Sequence, residues 1–349
     1  MPVRRRSARA ASSRWSPTRA MRGETKRPTP WRPGRRPSRR RSFGPCPIGS
    51  RIGATTRRAC LQSRSVTPKR GPSPPCWGLP LSPRSYPGRA MCLILFAKDV
   101  HPEYPLIFAG NRDEFYDRPT APAAFWDDAP HVLGGRDLKA GGTWLGITRK
   151  GHWATVTNVR DERPRRDDAP SRGRLVADYL REEPAPEAYL DGLETEADQY
   201  NGFNVLVGTP EKTFYYSNRD GTPRPVRSGI HGMSNAQLDD SWPKVERGTS
   251  GLDALCEDKD LSIEALFDIL DDRQPAPDGQ LPQTGVGRET ERMLSPPFID
   301  GDEAYGTRAS TVFLVHRSGR VTFAERSFDG GTATETRDFS FNLASPVAS

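Results

Sequence analysis

The chain changes character at Met91, and that break decides which part of it can fold. Residues 1–90 hold 23 Lys and Arg, 21 of them Arg, against the single acid Glu24, a net charge of +22. The other 259 residues hold 29 basic and 43 acidic side chains, a net of −14, so the overall +8 describes neither piece. Trp31-Arg32-Pro33-Gly34-Arg35-Arg36-Pro37 is typical of the first piece, with prolines too frequent for a helix and apolar residues too sparse for a core. Residues 1–90 are therefore expected to be a disordered extension outside the mature protein. Three origins stay open: a stretch upstream of the true start, a targeting peptide, or a nucleic-acid-binding tail. No apolar segment follows Arg4-Arg5-Arg6 or Arg39-Arg40-Arg41, which argues against a secretory signal, and no run of about 18 apolar residues offers a membrane span.

Residues 91–349 are long enough for a sizeable core, and their acidic surface should repel nucleic acid. Of five cysteines, Cys46, Cys60 and Cys76 lie in the extension, leaving Cys92 and Cys256 without a disulfide framework. A cytoplasmic location follows as the expectation.

Met91 to Lys98 (MCLILFAK) reads as a buried strand and Pro105 to Gly110 as its neighbour. Thr143–Ile147 and His152–Asn158 flank Arg149-Lys150-Gly151 as a β-hairpin, and a second hairpin, Ser310–His316 and Arg320–Arg326, is expected to close the chain. Phe203–Thr209 and Lys212–Ser217 are two further strands. Helical periodicity covers Arg174–Glu182, Pro186–Tyr200, Trp242–Cys256 and Ser262–Leu270, the last with Ser262 as N-cap. Strands at both ends and helices between them predict an α+β fold, with helices packed outside largely antiparallel sheets. Gln274–Glu303, rich in Pro, Gly and acids, is expected to be a mobile loop bordering a site.

A cysteine at a chain terminus carries its own base, the α-amine, with an ordinary pKa of about 7.7–8.0. Initiation at Met91 would supply that terminus once the methionine is trimmed. In an antiparallel pair the end of the second strand lies beside the start of the first, so Asp113 in Asn111-Arg112-Asp113-Glu114 can reach the amine of Cys92. The five histidines are scattered singly, no Cys/His cluster suggests a metal, and no glycine pattern suggests a nucleotide.

These strings resemble the NRDE family, named for Asn111–Glu114, which includes eukaryotic transport and Golgi organization protein 2 homologues. The resemblance runs from Met91-Cys92 to Glu325-Arg326-Ser327-Phe328. It takes in Gly141-Gly142-Thr143-Trp144-Leu145-Gly146, Thr157-Asn158-Val159-Arg160, Gly202-Phe203-Asn204, His231-Gly232-Met233-Ser234-Asn235-Ala236, Trp242-Pro243-Lys244-Val245 and Tyr305-Gly306-Thr307-Arg308-Ala309-Ser310-Thr311. More distantly the order is similar to choloylglycine hydrolase and penicillin V acylase, amide-cleaving N-terminal-nucleophile (Ntn) hydrolases. That similarity implies a four-layer αββα fold, a nucleophile at Cys92, an acid holding its amine at Asp113, oxyanion amides at Asn158 and Asn235, and a guanidinium near the thiol at Arg308. Asn111, Arg112, Glu114 and Trp144 are expected to bind substrate or support the site. The acylases carry Arg three residues before the acid; here that position is Gly110, and the guanidinium is adjacent at Arg112.

Alternatives stay open at several positions. Asn158 and Asn235 also suit turns, Arg308 an edge-strand entry, Glu325-Arg326 a structural ion pair, Trp144 and Trp153 core or pocket wall, and Cys256 plain packing. Two functions compete. One is an Ntn-type amidohydrolase of linear amides or acyl bonds, working on a small-molecule substrate without a cofactor. The other is a non-enzymatic carrier of haem or a lipid-like ligand, a role the family's eukaryotic members suggest. Oligomeric state is not legible.

Overall fold

The computed structural model describes residues 91–161, 163–257, 261–344 and 347, so the expectations for residues 1–90 lie outside the described residues. Strands β1 (Met91–Lys98), β2 (Leu106–Phe115), β3 (Thr120–Trp126), β4 (Ala129–Asp137), β5 (Leu145–Thr148) and β6 (Trp153–Asn158) come first. Helices α1 (Gly173–Glu182) and α2 (Pro186–Glu194) follow, then β7 (Phe203–Gly208), β8 (Thr213–Ser217), β9 (Arg224–Pro225) and β10 (Gly229–Met233). After α3 (Pro243–Glu257), α4 (Ile263–Leu270) and α5 (Arg288–Met293), the described chain ends in β11 (Tyr305–Val315), β12 (Arg320–Asp329) and β13 (Thr332–Asn342).

The strands form two antiparallel sheets, ordered β10-β1-β2-β11-β12-β13 and β3-β4-β5-β6-β7-β8-β9. Alternation of side chains sorts each strand between two environments. From β1 and β2, Ile94, Phe96 and Phe108 turn inward and pack with Leu145, Ile147, Trp153 and Leu206 of the other sheet. Their neighbours Leu93, Leu95, Ile107 and Ala109 face the other way, against Val245 and Leu252 of α3 and Leu266, Phe267 and Leu270 of α4. The outer face of the second sheet is covered by Leu175, Tyr179 and Leu180 of α1 and Leu190 of α2. The result is the expected α+β arrangement, layered αββα.

Several boundaries differ from the sequence reading. β2 runs on through Asn111–Glu114 to Phe115, so this polar string is strand rather than strand end. β13 follows the second hairpin as an edge strand, and the Pro186–Tyr200 helix breaks into α2 and a 3₁₀ turn at Ala197–Gln199. Ser262 caps α4, its Oγ accepting from Ala265 N at 3.2 Å. Gln274–Glu303 is not a plain loop: it carries α5 and sends Phe298 and Ile299 fully into the interior.

Candidate active site

The register of β1 on β2 places Met91 opposite Asp113 and Cys92 opposite Arg112. Directly opposed residues share a face. Cys92 and Arg112 therefore both turn toward the space between the sheets, where they line a cavity of about 980 Å³ with Glu114, Trp144, Asn158 and Arg308. Asp113 turns the other way, toward the helices, which puts the acid and the thiol on opposite sides of one strand pair.

Cys92 is only 5% exposed. Burial, and then the Asp113 charge, push its thiol up to about 12, against the opposing pull of the Arg112 charge and the Asp113 backbone N–H. At neutral pH the sulfur therefore keeps its proton until a base takes it. Among the described residues no histidine lines the cavity.

Asp113 is fully buried. Its Oδ1 accepts from Thr307 Oγ1 at 2.7 Å, and its Oδ2 has no hydrogen-bond partner. Burial raises its carboxyl from 3.8 to about 6; Lys244, Thr307 and Arg112 hold it below where burial alone would take it. The sign of the stability effect follows. The unfolded chain loses this proton near 3.8 and the folded one keeps it until about 6, so stability falls as pH rises through that window. At about 1.4 kcal/mol per pH unit, wild type should lose roughly 3 kcal/mol relative to Asp113→Asn between pH 4 and 7. Urea melts of both proteins across that range measure it; a constant difference would mean that Asp113 titrates like an exposed acid.

The remaining expected residues divide into two groups. Arg112 donates to Thr120 Oγ1 at 3.3 Å and lies 3.6 Å from Glu114, which also meets Arg118 at 3.5 Å. Arg308 is the extra residue at a bulge between Thr307 and Ala309, where β11 loses register with β2. Its Nη1 donates to the carbonyls of Phe115 (3.1 Å) and Arg118 (2.8 Å), while its buried Nε has no hydrogen-bond partner. Asn158 ends β6 at the cavity wall, and Trp144 is wall as well. Asn111 and Asn235, by contrast, do not line the cavity. Asn111 Nδ2 donates to the carbonyls of Leu270 and Pro297, both at 2.9 Å, tying the end of α4 and the segment before β11 to the sheet. Asn235 Nδ2 donates to the Asn158 carbonyl at 2.8 Å, and Ser234 Oγ donates to the Cys92 carbonyl at 2.8 Å, so the end of β10 holds both the thiol's strand and the amide's.

Gly110 lies on the cavity side of β2, and a Cβ there would stand 2.9 Å from the Leu93 carbonyl oxygen and 3.1 Å from the Phe108 ring. No arginine fits. Arg112, two residues on and on the same face, brings the guanidinium directly across from Cys92 instead. The expected Glu325–Arg326 pair is not formed. Successive strand residues face opposite ways, and Arg326 meets Glu264 at 3.0 Å while Glu325 accepts from Ala123 N at 2.6 Å.

Lys244 is not among the residues expected at the site. It is the second residue of α3, 1% exposed, and its Nζ has no hydrogen-bond partner. Lysine is almost never buried without a paired acid. A lysine inside an otherwise apolar helix face was the one signal available.

The family model described as "Transport and Golgi organisation 2" matches residues 91–330. The mouse Transport and Golgi organization 2 homolog is 36% identical over 283 residues, covering 73% of this chain and 100% of the mouse protein. The Drosophila melanogaster Transport and Golgi organization protein 2 is 32% identical over 268 residues, covering 69% and 93%. Among solved structures, a Caenorhabditis elegans N-acylethanolamine-hydrolyzing acid amidase ortholog aligns with a TM-score of 0.38 at 11% identity, over 64% of this chain and 92% of that one. A mutant conjugated bile acid hydrolase from Clostridium perfringens aligns with a TM-score of 0.37 at 9% identity, over 74% and 99%. On the family model and on relatives matched over nearly their whole length, the chain belongs to the Transport and Golgi organisation 2 family.

Proposed function

We propose that the mature protein begins at Cys92 and is an Ntn-type amidohydrolase that cleaves a linear amide or related acyl bond. The observation that carries this reading is a buried thiol on a cavity wall with no histidine among the described lining residues, and, on the other face of the same strand pair, a buried carboxylate oxygen that lacks a donor. A free α-amine at Cys92 supplies both missing parts: a base for the sulfur and an N–H for Asp113 Oδ2.

In the reaction, the amine takes the Sγ proton while the sulfur pair forms a bond to the carbonyl carbon and the π pair moves onto oxygen. Collapse breaks the C–N bond, and the ammonium returns its proton to the leaving nitrogen. Water then attacks the thioester; one of its protons goes to the amine, the C–S bond breaks, and that proton returns to sulfur. Asn158 and Arg308 are assigned to the oxyanion, where a preorganised donor contributes about 2.7–4 kcal/mol.

The test uses protein isolated from its own host. Intact-mass and N-terminal analysis should find Cys92 as the first residue, and a β-lactone, which opens on a thiol to leave a thioester, should add its mass to Cys92 alone. Native material that retains residues upstream of Cys92, or gives no adduct there, defeats the reading. A haem difference spectrum without an adduct would favour the carrier function for the same cavity, whose volume is at the upper end for small-ligand sites.

A further inference from the structure

Two buried groups of opposite charge face the same layer behind Cys92, and each has an unused atom. Asp113 is on the helix side of β2, and Lys244 is on α3, whose Val245 packs in one cluster with Leu93 and Leu95 of β1. Asp113 Oδ2 and Lys244 Nζ both lack a hydrogen-bond partner, and no ion pair closes between them among the described residues. Their charges are nevertheless mutually felt. Lys244 is the largest influence keeping the Asp113 proton labile, and Asp113 is the largest influence keeping Lys244 protonated against its burial.

The other charges acting on Lys244 have mixed signs. Arg160, just after β6, and Glu291 of α5 act on it with opposite signs, and they form their own buried ion pair at 2.7 Å. Cys92 of β1 also acts on Lys244, from the other side of the sheet, while on β2 Arg112 and Glu114 act on Asp113 with opposite signs. The two groups with unused atoms are this carboxylate, opposite Met91 at the start of β1, and this ammonium.

Building on the proposed N-terminal nucleophile, we infer that Lys244 is a positioning residue whose ammonium keeps Asp113 ionised and the α-amine of Cys92 neutral, and so able to take the thiol proton. A carboxylate alone next to an amine favours the ammonium, which cannot act as a base. A second cation in the same low-dielectric layer reverses that preference. Lys244 moves no proton in the reaction; it acts through Asp113 and the amine.

The experiment follows the rate of β-lactone adduct formation at Cys92 against pH, using wild type, Lys244→Met, Lys244→Gln and Lys244→Arg purified from the native host, each checked by thermal melting. In the neutral variants the acid limb of the profile should move up by at least about 1 pH unit, with roughly tenfold slower labelling at pH 7, and Lys244→Arg should restore the limb. A limb that stays in place while rates fall uniformly would overturn the inference. So would loss of the native fold in both neutral variants with Lys244→Arg still folded, since that assigns Lys244 a purely structural role. Failure of the hydrolase reading itself is separate: it appears in wild type, as an unprocessed N-terminus or no adduct at any pH.

Discussion

Cys92→Ala is expected to yield a folded protein that forms no β-lactone adduct and loses at least about 10⁴-fold of any amidase rate. The expected size of the loss follows from the proposed mechanism, in which nucleophile and base act as one unit, so that removing either would remove nearly the whole chemical advantage. No other group in the cavity can substitute. Thr120, Thr143, Ser171, Ser327 and Thr334 line it, but none lies next to a histidine there. The other described thiol, Cys256, sits near the end of α3 and packs against the helix-side core, where burial pushes it up to about 11. Stability should change little, because the substitution deletes one sulfur at a strand end. Mass spectrometry of labelled wild type and variant, with Cys256 as internal control, reads the outcome. An adduct that persists in Cys92→Ala places the reactive group elsewhere.

Glu291→Ala should cost about 3–5 kcal/mol of stability, the largest effect expected outside the catalytic centre. Arg160 and Glu291 are 2% and 4% exposed at the side chain and 2.7 Å apart. Glu291 Oε1 also accepts from the Thr284 backbone N–H at 2.9 Å and from its hydroxyl at 2.5 Å, while the Arg160 guanidinium lies 5.0 Å from the Trp242 ring. Removing the carboxylate takes the Glu291 charge away from a buried guanidinium and leaves two donors of Thr284 without this acceptor. Denaturant melts of wild type, Glu291→Ala and the charge-free Arg160→Met/Glu291→Leu double variant separate the loss of the pair from the exposure of one partner. The double variant should recover most of the loss.

The strands that bring Cys92 and Asp113 together were legible because buried apolar runs such as MCLILFAK leave few alternatives. Where a strand breaks the usual rules, the sequence misleads. Asn111–Glu114 reads as the end of a strand because four polar residues follow one another. In the fold, Asn111 finds the Leu270 and Pro297 carbonyls and Asp113 finds Thr307, while Arg112 and Glu114 face the cavity. β3 contains Pro122, which is tolerated because β3 is an edge strand with a register shift between Ala121 and Ala124. β10 carries Gly232 because a Cβ there would meet Val245 at 2.6 Å and Thr249 at 2.7 Å, so the glycine that looks like a break is what lets α3 approach. β13 is almost wholly exposed, and only its weak alternation marks it as a strand. Lys244 was illegible for another reason: its environment is made by β2 and α5, far away in the sequence.

The sheet containing β1 and β2 divides the proposed machinery in two. The acyl group would meet residues that open between the sheets, while Asp113 and Lys244 lie behind, against the helices. On the proposed mechanism, selectivity and proton affinity would thus be written on different surfaces of one thin wall. A descendant of this chain could remodel Trp144 and its neighbours to accept a new acyl chain and still keep the same working pH, because the groups that set that pH never touch what enters the chamber.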